Sequence, residues 1–289
     1  MNKKVKTGIV DVGGGLRGIY GAGVFDYCID NGITFNCCIG VSAGGANIAS
    51  FAGNQKGRNY LFYHEYAFRK EYMGIGTAIK TGNYINLDYI YADLSNKDGE
   101  NPLDFNSVRN YDGIINIVAT NARTGKPHYF TVNDMQQDNY KVLCASSCVP
   151  VINKPVEING EYYYDGGLSD PIPVRRAFEL GCDRVVVVLT RNINCLKKGK
   201  IERYGAKIIK KRFPVLEKTF YESYKKYNDT VALIKQYEKE GKCIVLHPDT
   251  SCKVRTFSRD AEKLDRLYRF GYSDAEEIKR KLSDEVLIK

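Results

Sequence analysis

Short apolar runs bounded by glycine alternate along the chain with longer stretches in which apolar residues recur at helical spacing. Thr7–Val12 is such a run, ending in glycines, and predicts a buried strand. Leu16–Asp30 carries the helical pattern and stops at Asn31-Gly32, a good helix terminator. Thr34–Val41 predicts a second strand and Ala43–Phe51 a helix of small residues. Ile114–Thr120, Arg184–Thr190 and the shorter Ile244–His247 predict three more strands. The second of these holds Val185, Val186, Val187 and Val188 in a row, as suits a strand covered on both faces. Strands separated by helices predict an α/β protein with a mainly parallel central sheet and helices on both sides.

Two regions depart from this rhythm. Residues 54–110 are rich in Tyr, Asn, Asp and Gly and read as an irregular insertion, the candidate lid over any cleft. Its Tyr63, Tyr66, Phe68 and Tyr72 are expected to pack on the domain, with cleft lining as the alternative. Leu196–Glu240 reads as helical and basic, with Lys197, Lys198, Lys200, Arg203, Lys207, Lys210, Lys211 and Arg212 close together. No repeat or linker is evident. The expectation is one domain over 1–289, with a core at about 7–190 and 244–289 and a basic helical elaboration at about 196–240.

Composition narrows the class. With 289 residues, 43% apolar and 27% charged, the chain is long enough for a large core and close to a soluble average. No apolar run approaches the roughly 20 residues of a membrane span. The net charge of +9 is unevenly placed: from Arg191 onward there are 25 Lys and Arg against 15 Asp and Glu, whereas the first 190 residues hold 18 against 19. Nine scattered cysteines, an odd number that includes Cys252, follow an N-terminus without the apolar core of a signal peptide. They are expected to be reduced thiols in a cytoplasmic protein, some buried as small hydrophobes. No CxxC pair occurs and His64, His128 and His247 stand apart, so no metal site is expected.

The chemistry-bearing segments lie in the near-neutral part. Gly40-Val41-Ser42-Ala43-Gly44 is a G-x-S-x-G sequence between a predicted strand and a predicted helix. That context makes it a candidate nucleophile elbow rather than a plain Gly/Ser turn. The helix start behind Ser42 offers free N–H groups and a positive dipole end. Upstream, Gly13-Gly14-Gly15-Leu16-Arg17-Gly18 also follows a strand and precedes a helix. Its consecutive glycines do not match the spacing of a dinucleotide turn, and no Gly-Lys-Ser/Thr follows as in a phosphate-binding loop. An oxyanion hole suits it better, with Arg17 holding the loop or binding substrate phosphate. Tyr162-Tyr163-Tyr164-Asp165-Gly166-Gly167 places a carboxylate at the end of a tyrosine-rich strand. Asp165 is a candidate base for Ser42 if burial raises its pKa; the competing reading is an ordinary Asp-Gly-Gly hairpin turn.

Together these segments resemble the patatin-like phospholipase family: Gly13–Gly18, Gly40–Gly44 and Asp165–Gly167 stand in that family's order. Ala145-Ser146-Ser147-Cys148-Val149-Pro150 resembles a further family segment, with Cys148 in place of a small alanine. The likeness covers roughly Thr7 to Leu189. Beyond it, Gly271-Tyr272-Ser273-Asp274-Ala275 resembles the entry to the C-terminal helix of bacterial members. The resemblance implies a three-layer α/β/α sandwich and a Ser–Asp dyad without histidine. In it Ser42 is nucleophile, Asp165 is base, and Gly13, Gly14 and Gly15 with Ala43 supply oxyanion N–H groups. Arg17, Gly18, Gly40, Gly44, Gly166 and Gly167 support the motifs. It implies a serine acyl hydrolase acting on phospholipid, lysophospholipid or neutral acyl lipid through an acyl-enzyme, with no metal or organic cofactor.

Two other readings compete. The order Ser42, Asp165, His247 fits an α/β-hydrolase triad, although Ser42 comes early for that fold. The basic last third, with tyrosines interleaved among lysines, is open to a solvated face, to peripheral docking on an anionic membrane at the inner face, or to nucleic acid, which is the least expected partner.

Overall fold

The computed structural model describes residues 5–251 and 254–283, so Cys252 lies outside it. The strands are β1 (Thr7–Asp11), β2 (Cys37–Val41), β3 (Ile114–Asn121), β4 (Pro127–Phe130), β5 (Val156–Ile158), β6 (Glu161–Asp165), β7 (Arg184–Val188) and β8 (Cys243–Leu246). They form one sheet in the order β5-β6-β3-β2-β1-β7-β8, with β4 also on β3. The run from β3 to β8 is parallel. β4 and β6 lie antiparallel to β3, and β5 pairs with β6 as a hairpin. The sheet is thus mixed, with an antiparallel end next to the predicted parallel strands.

Side-chain alternation divides the core. Ile9, Cys38, Ile115, Val186 and Ile244 form one register row across the parallel strands and face one layer. One residue on, Val10, Ile39, Val187 and Val245 face the other. The first layer contains α1 (Ile19–Asp30), α2 (Ala43–Ala52), α3 (Arg58–His64), α6 (Lys141–Ser147), α10 (Ala261–Asp274) and α11 (Glu276–Ser283). Short α4 (Ile75–Thr81) and α5 (Phe105–Arg109) lie in the 54–110 segment. The second layer is α7 (Val174–Glu179) and the long α9 (Pro214–Lys239), preceded by α8 (Lys200–Ile209). Helices on both faces of the sheet make the expected three-layer α/β/α sandwich.

Three sequence readings change. Residues 196–240 are not an addition to the core, because Tyr227, Val231 and Ile234 of α9 cover the second face of the sheet. The Gly271–Ala275 segment does lead into the last helix, α11, but Gly271 itself lies in the last turns of the preceding helix, α10. There it packs on α1, where a Cβ would overlap the Tyr20 carbonyl, while Gly23 of α1 lies equally close to the Tyr268 carbonyl. The 54–110 segment is not irregular throughout: it supplies Tyr63, Tyr66, Ile90 and Leu103 to the first-layer core. Every cysteine among the described residues is a free thiol, and Cys195 alone of these is exposed.

Candidate active site

Ser42 sits at the sharp corner between β2 and α2 with φ 57 and ψ −131. A non-glycine residue held there costs on the order of 1–3 kcal/mol, which the surroundings must offset. The flanking glycines make the corner possible. A Cβ at Gly40 would stand 2.5 Å from the Gly45 Cα, and one at Gly44 would overlap the Asp11 carbonyl. The Ser42 N–H donates to Ser146 Oγ at 2.8 Å, and that hydroxyl donates to the Val118 carbonyl at 2.7 Å. Ser146 is fully buried on α6 and ties the corner to β3. In the sequence Ser146 stood out only as part of the Ala145–Pro150 segment, with no role of its own.

Asp165 ends β6, opposite Ala119 of β3. Its N–H donates to the Cys148 carbonyl at 2.8 Å, and the Asp165 carbonyl accepts from Thr120 Oγ1 at 2.8 Å. No hairpin follows. Gly166–Leu168 form a single 3-10 turn, and the Gly167 N–H donates to Asp165 Oδ1 at 2.8 Å. Ser42 and this carboxylate line the same two cavities, and the serine hydroxyl acts to lower the carboxyl's pKa. Burial raises the pKa of Asp165 above the ordinary range, opposed by that hydroxyl, by the bond from Gly167 and by the charge of Lys197.

The glycine loop lies against this pair with φ values of +61, +127 and +61 at Gly13, Gly14 and Gly15. One expectation is corrected here. The Gly13 N–H is already donated to Asp11 Oδ1 at 2.9 Å, so it is not free for an oxyanion. Gly14, Gly15 and Ala43 line the cavity at Ser42, and no acceptor engages the N–H groups of Gly14 or Gly15 among the described residues. Thr190 Oγ1 donates to the Gly13 carbonyl, the Leu16 N–H to the Thr256 carbonyl at 2.8 Å, and Arg17 Nη1 to Thr256 Oγ1 at 2.5 Å. Gly18 abuts the Tyr63 hydroxyl. Asp11 was unremarked in the sequence, a lone acid in an apolar strand. It is fully buried, accepts from Asn47 Nδ2 at 2.7 Å, and is pushed up to about 6 by burial, against the bonds from Asn47 and Gly13.

Two cavities meet at Ser42 and Asp165. The first is mainly apolar, with Phe62, Tyr72, Ile90, Leu103 and Leu143 in its wall. About half of that wall comes from residues 54–110; of the aromatics singled out there, Tyr63 and Tyr72 line the cavity, Tyr66 is in the core, and Phe68 is exposed. The second cavity is also lined mainly by apolar surface, but it contains the charged Arg17, Arg191, Lys197 and Glu202 as well as Gly13, Gly14 and Tyr227. His247 lines neither. It faces a separate cavity with Tyr27 and Glu277, and its Nδ1 lies 3.3 Å from the Pro248 carbonyl. The structure therefore does not assemble the Ser42–Asp165–His247 triad, because β8 ends at the far edge of the sheet. Among the described residues no cluster of His, Cys, Asp and Glu could hold a metal ion, and no helix is long and apolar enough to cross a membrane.

The family model of the patatin-like phospholipases matches residues 12–178. The chain belongs to the patatin-like phospholipase family. That span contains the glycine loop, the elbow and Asp165. A second model, a domain of unknown function (DUF6363), matches residues 213–286, which run through α9, β8, α10 and α11. The chain is 30% identical over 190 residues to the uncharacterized protein YjjU of Escherichia coli (strain K12), covering 64% of this chain and 52% of that protein. It is 37% identical over 62 residues to human patatin-like phospholipase domain-containing protein 4, covering 21% of this chain and 24% of that protein. The chain thus spans about half or less of the length of these curated relatives. Among solved structures, VipD from Legionella pneumophila aligns with a TM-score of 0.47 and 16% identity, over 95% of this chain and 66% of that one.

Proposed function

We propose that the protein hydrolyses carboxylic esters of lipids through a Ser42–Asp165 dyad and an acyl-enzyme. The observation that carries this reading is Ser42 at a strained strand-to-helix corner, sharing the wall of an apolar cavity with the buried Asp165 carboxylate. Asp165 accepts the Ser42 proton as Oγ attacks the ester carbonyl. The oxyanion is received by the N–H groups of Gly14 and Gly15 and by the Ala43 N–H at the start of α2, which has no intrahelical acceptor. The tetrahedral intermediate expels the alcohol, which takes the proton from Asp165. Water then attacks the acyl-enzyme, giving its proton to Asp165, and Ser42 is regenerated.

A fluorophosphonate probe tests the nucleophile directly. Peptide mapping is expected to find the label on Ser42, at a rate that falls with acidification. The sign follows from the raised pKa: Asp165 accepts a proton only when ionised, so the acid limb should lie above the ordinary aspartate range near 3.8. Labelling confined to other residues, or a rate independent of pH between 4 and 8, would overturn the dyad.

We also infer peripheral association with anionic membrane. Ile201, Tyr204 and Ile208 share one face of α8 and are 80%, 70% and 43% exposed, and Lys198, Lys200, Arg203 and Lys207 are exposed around them. Each cation near an anionic surface contributes about 1 kcal/mol. Cosedimentation with vesicles containing phosphatidylserine should exceed that with phosphatidylcholine alone and decline with salt. Equal recovery on the two would exclude docking by charge.

A further inference from the structure

Arg58 is a buried cation with no opposite charge beside it. It begins α3, is 7% exposed, and stands in the wall of the apolar cavity that also contains Ser42. Its Nη1 donates to Ser50 Oγ at 2.9 Å, and its Nη2 to Ser95 Oγ at 2.9 Å and to the Asn101 carbonyl at 3.0 Å. The guanidinium lies 4.7 Å from the centre of the Phe62 ring, and its Nε is buried with no acceptor. Burial lowers Arg58 to about 10, and the groups opposing this are the phenols of Tyr140, Tyr91 and Tyr66, with no carboxylate among them. At neutral pH the group is therefore still a cation. Two serines and a carbonyl would accept as well from a neutral amide, so these bonds do not account for the charge. Buried charges are ordinarily paired, because an uncompensated one is strongly destabilising.

Helix α2 sets the distance from Arg58 to the nucleophile. Ser42, Ala46 and Ser50 are spaced four residues apart and share one face of that helix. Ser42 and Ala46 line the cavity, and Ser50 holds Arg58. The helical rise between Ser42 and Ser50 places the guanidinium about 12 Å along α2 from the nucleophile. An acyl chain joined to Ser42 and running along this face brings its far end to Arg58. We infer that Arg58 receives a carboxylate carried on that far end, so that the acyl group is one half of a dicarboxylic acid. The inference rests on the proposed acyl-hydrolase reading and narrows it on the acyl side. A carboxylate suits the site because its single charge matches one guanidinium, and its planar pair of oxygens matches the planar donors. A doubly charged group would leave half its charge unpaired beside Ile90 and Leu103, which line the same cavity.

The test compares three p-nitrophenyl esters with the same leaving group, each below its micelle concentration. Their acyl groups come from decanoic acid, from decanedioic acid with its second carboxyl free, and from decanedioic acid with that carboxyl methylated. The free diacid ester should show about tenfold higher kcat/KM than either of the others, the size of one hydrogen bond to a charged group. Arg58→Gln should remove that preference, whereas a merely structural role would lower all three esters alike. The methylated ester makes the same comparison on wild type, with no variant that must fold. An equal or lower kcat/KM for the free diacid ester, with turnover lost in Ser42→Ala, overturns the role of Arg58 and leaves the hydrolase reading standing. If no ester turns over, calorimetric binding of the free acids decides: tighter binding of decanedioic than of decanoic acid supports the site, and equal affinity overturns it. Acetate distinguishes a carboxylate on the chain from one free in solution. Loss of the preference with acetate at the concentration of the diacid ester would show a site for small anions and overturn its role in acyl recognition.

Discussion

Ser42→Ala is expected to lower hydrolysis of a p-nitrophenyl ester by about 10⁴-fold or more, since the acyl-enzyme cannot form without the hydroxyl. Asp165→Asn should lose a comparable factor, because an amide cannot accept the proton. Neither change should unfold the chain. Alanine keeps the backbone of Ser42, and its N–H still has Ser146 as acceptor. Asparagine can still accept from the Gly167 N–H. For Asp165→Asn the stability effect has a definite sign. A carboxyl whose folded pKa is raised stabilises the fold in its protonated form, and that stability is lost as pH rises through the folded value. The thermal midpoint of Asp165→Asn relative to wild type should therefore be highest near pH 8 and shrink toward pH 4. Turnover within tenfold of wild type in either variant rules out the dyad as the source of activity.

Gly13→Ala should damage both fold and activity. With φ at +61, a side chain at this position is already strained. Its Cβ would also overlap the Val41 carbonyl and stand 2.8 Å from the N atoms of Ala43 and Gly44. All three neighbours are backbone of the elbow, so no side-chain rotation relieves the contact. A cost of about 3 kcal/mol is expected, the upper end for overpacking. Because the loop can yield only by moving off the elbow, ester turnover should fall about 100-fold as the oxyanion donors are displaced. Gly32→Ala is the control. It has φ +62 with nothing within 4 Å of its Cβ, so it carries the backbone strain alone. Equal urea midpoints for the two variants would show that the loop does not press on the elbow.

Much of the fold was legible because its signals are local. Four valines in succession marked β7, and the glycines around Ser42 marked a strand-to-helix corner wherever its partners might lie. Asp165 at the end of a tyrosine-rich strand was equally visible, although its turn to a 3-10 segment and not a hairpin was not. β4, β5 and α6 were missed because a few residues carry too little periodicity to identify them. The basic charge of 196–240 was plain, but charge is a property of exposed faces. The buried positions of α9 that make it a layer of the sandwich are spaced among the lysines.

By itself, then, the sequence determined the α/β class, the glycine loop, the elbow and the candidate base. Each depends on backbone conformations or residue pairs within a few positions of one another. Only the tertiary structure decided that the Gly13 N–H belongs to Asp11, that Ser146 holds Ser42 from 104 residues away, and that His247 stands apart. It also gathered Arg17, Arg191 and Lys197 into one cavity. The physical reason is that these relations join residues distant in the chain, and such pairings are set by how the layers pack on the sheet, which no local pattern encodes.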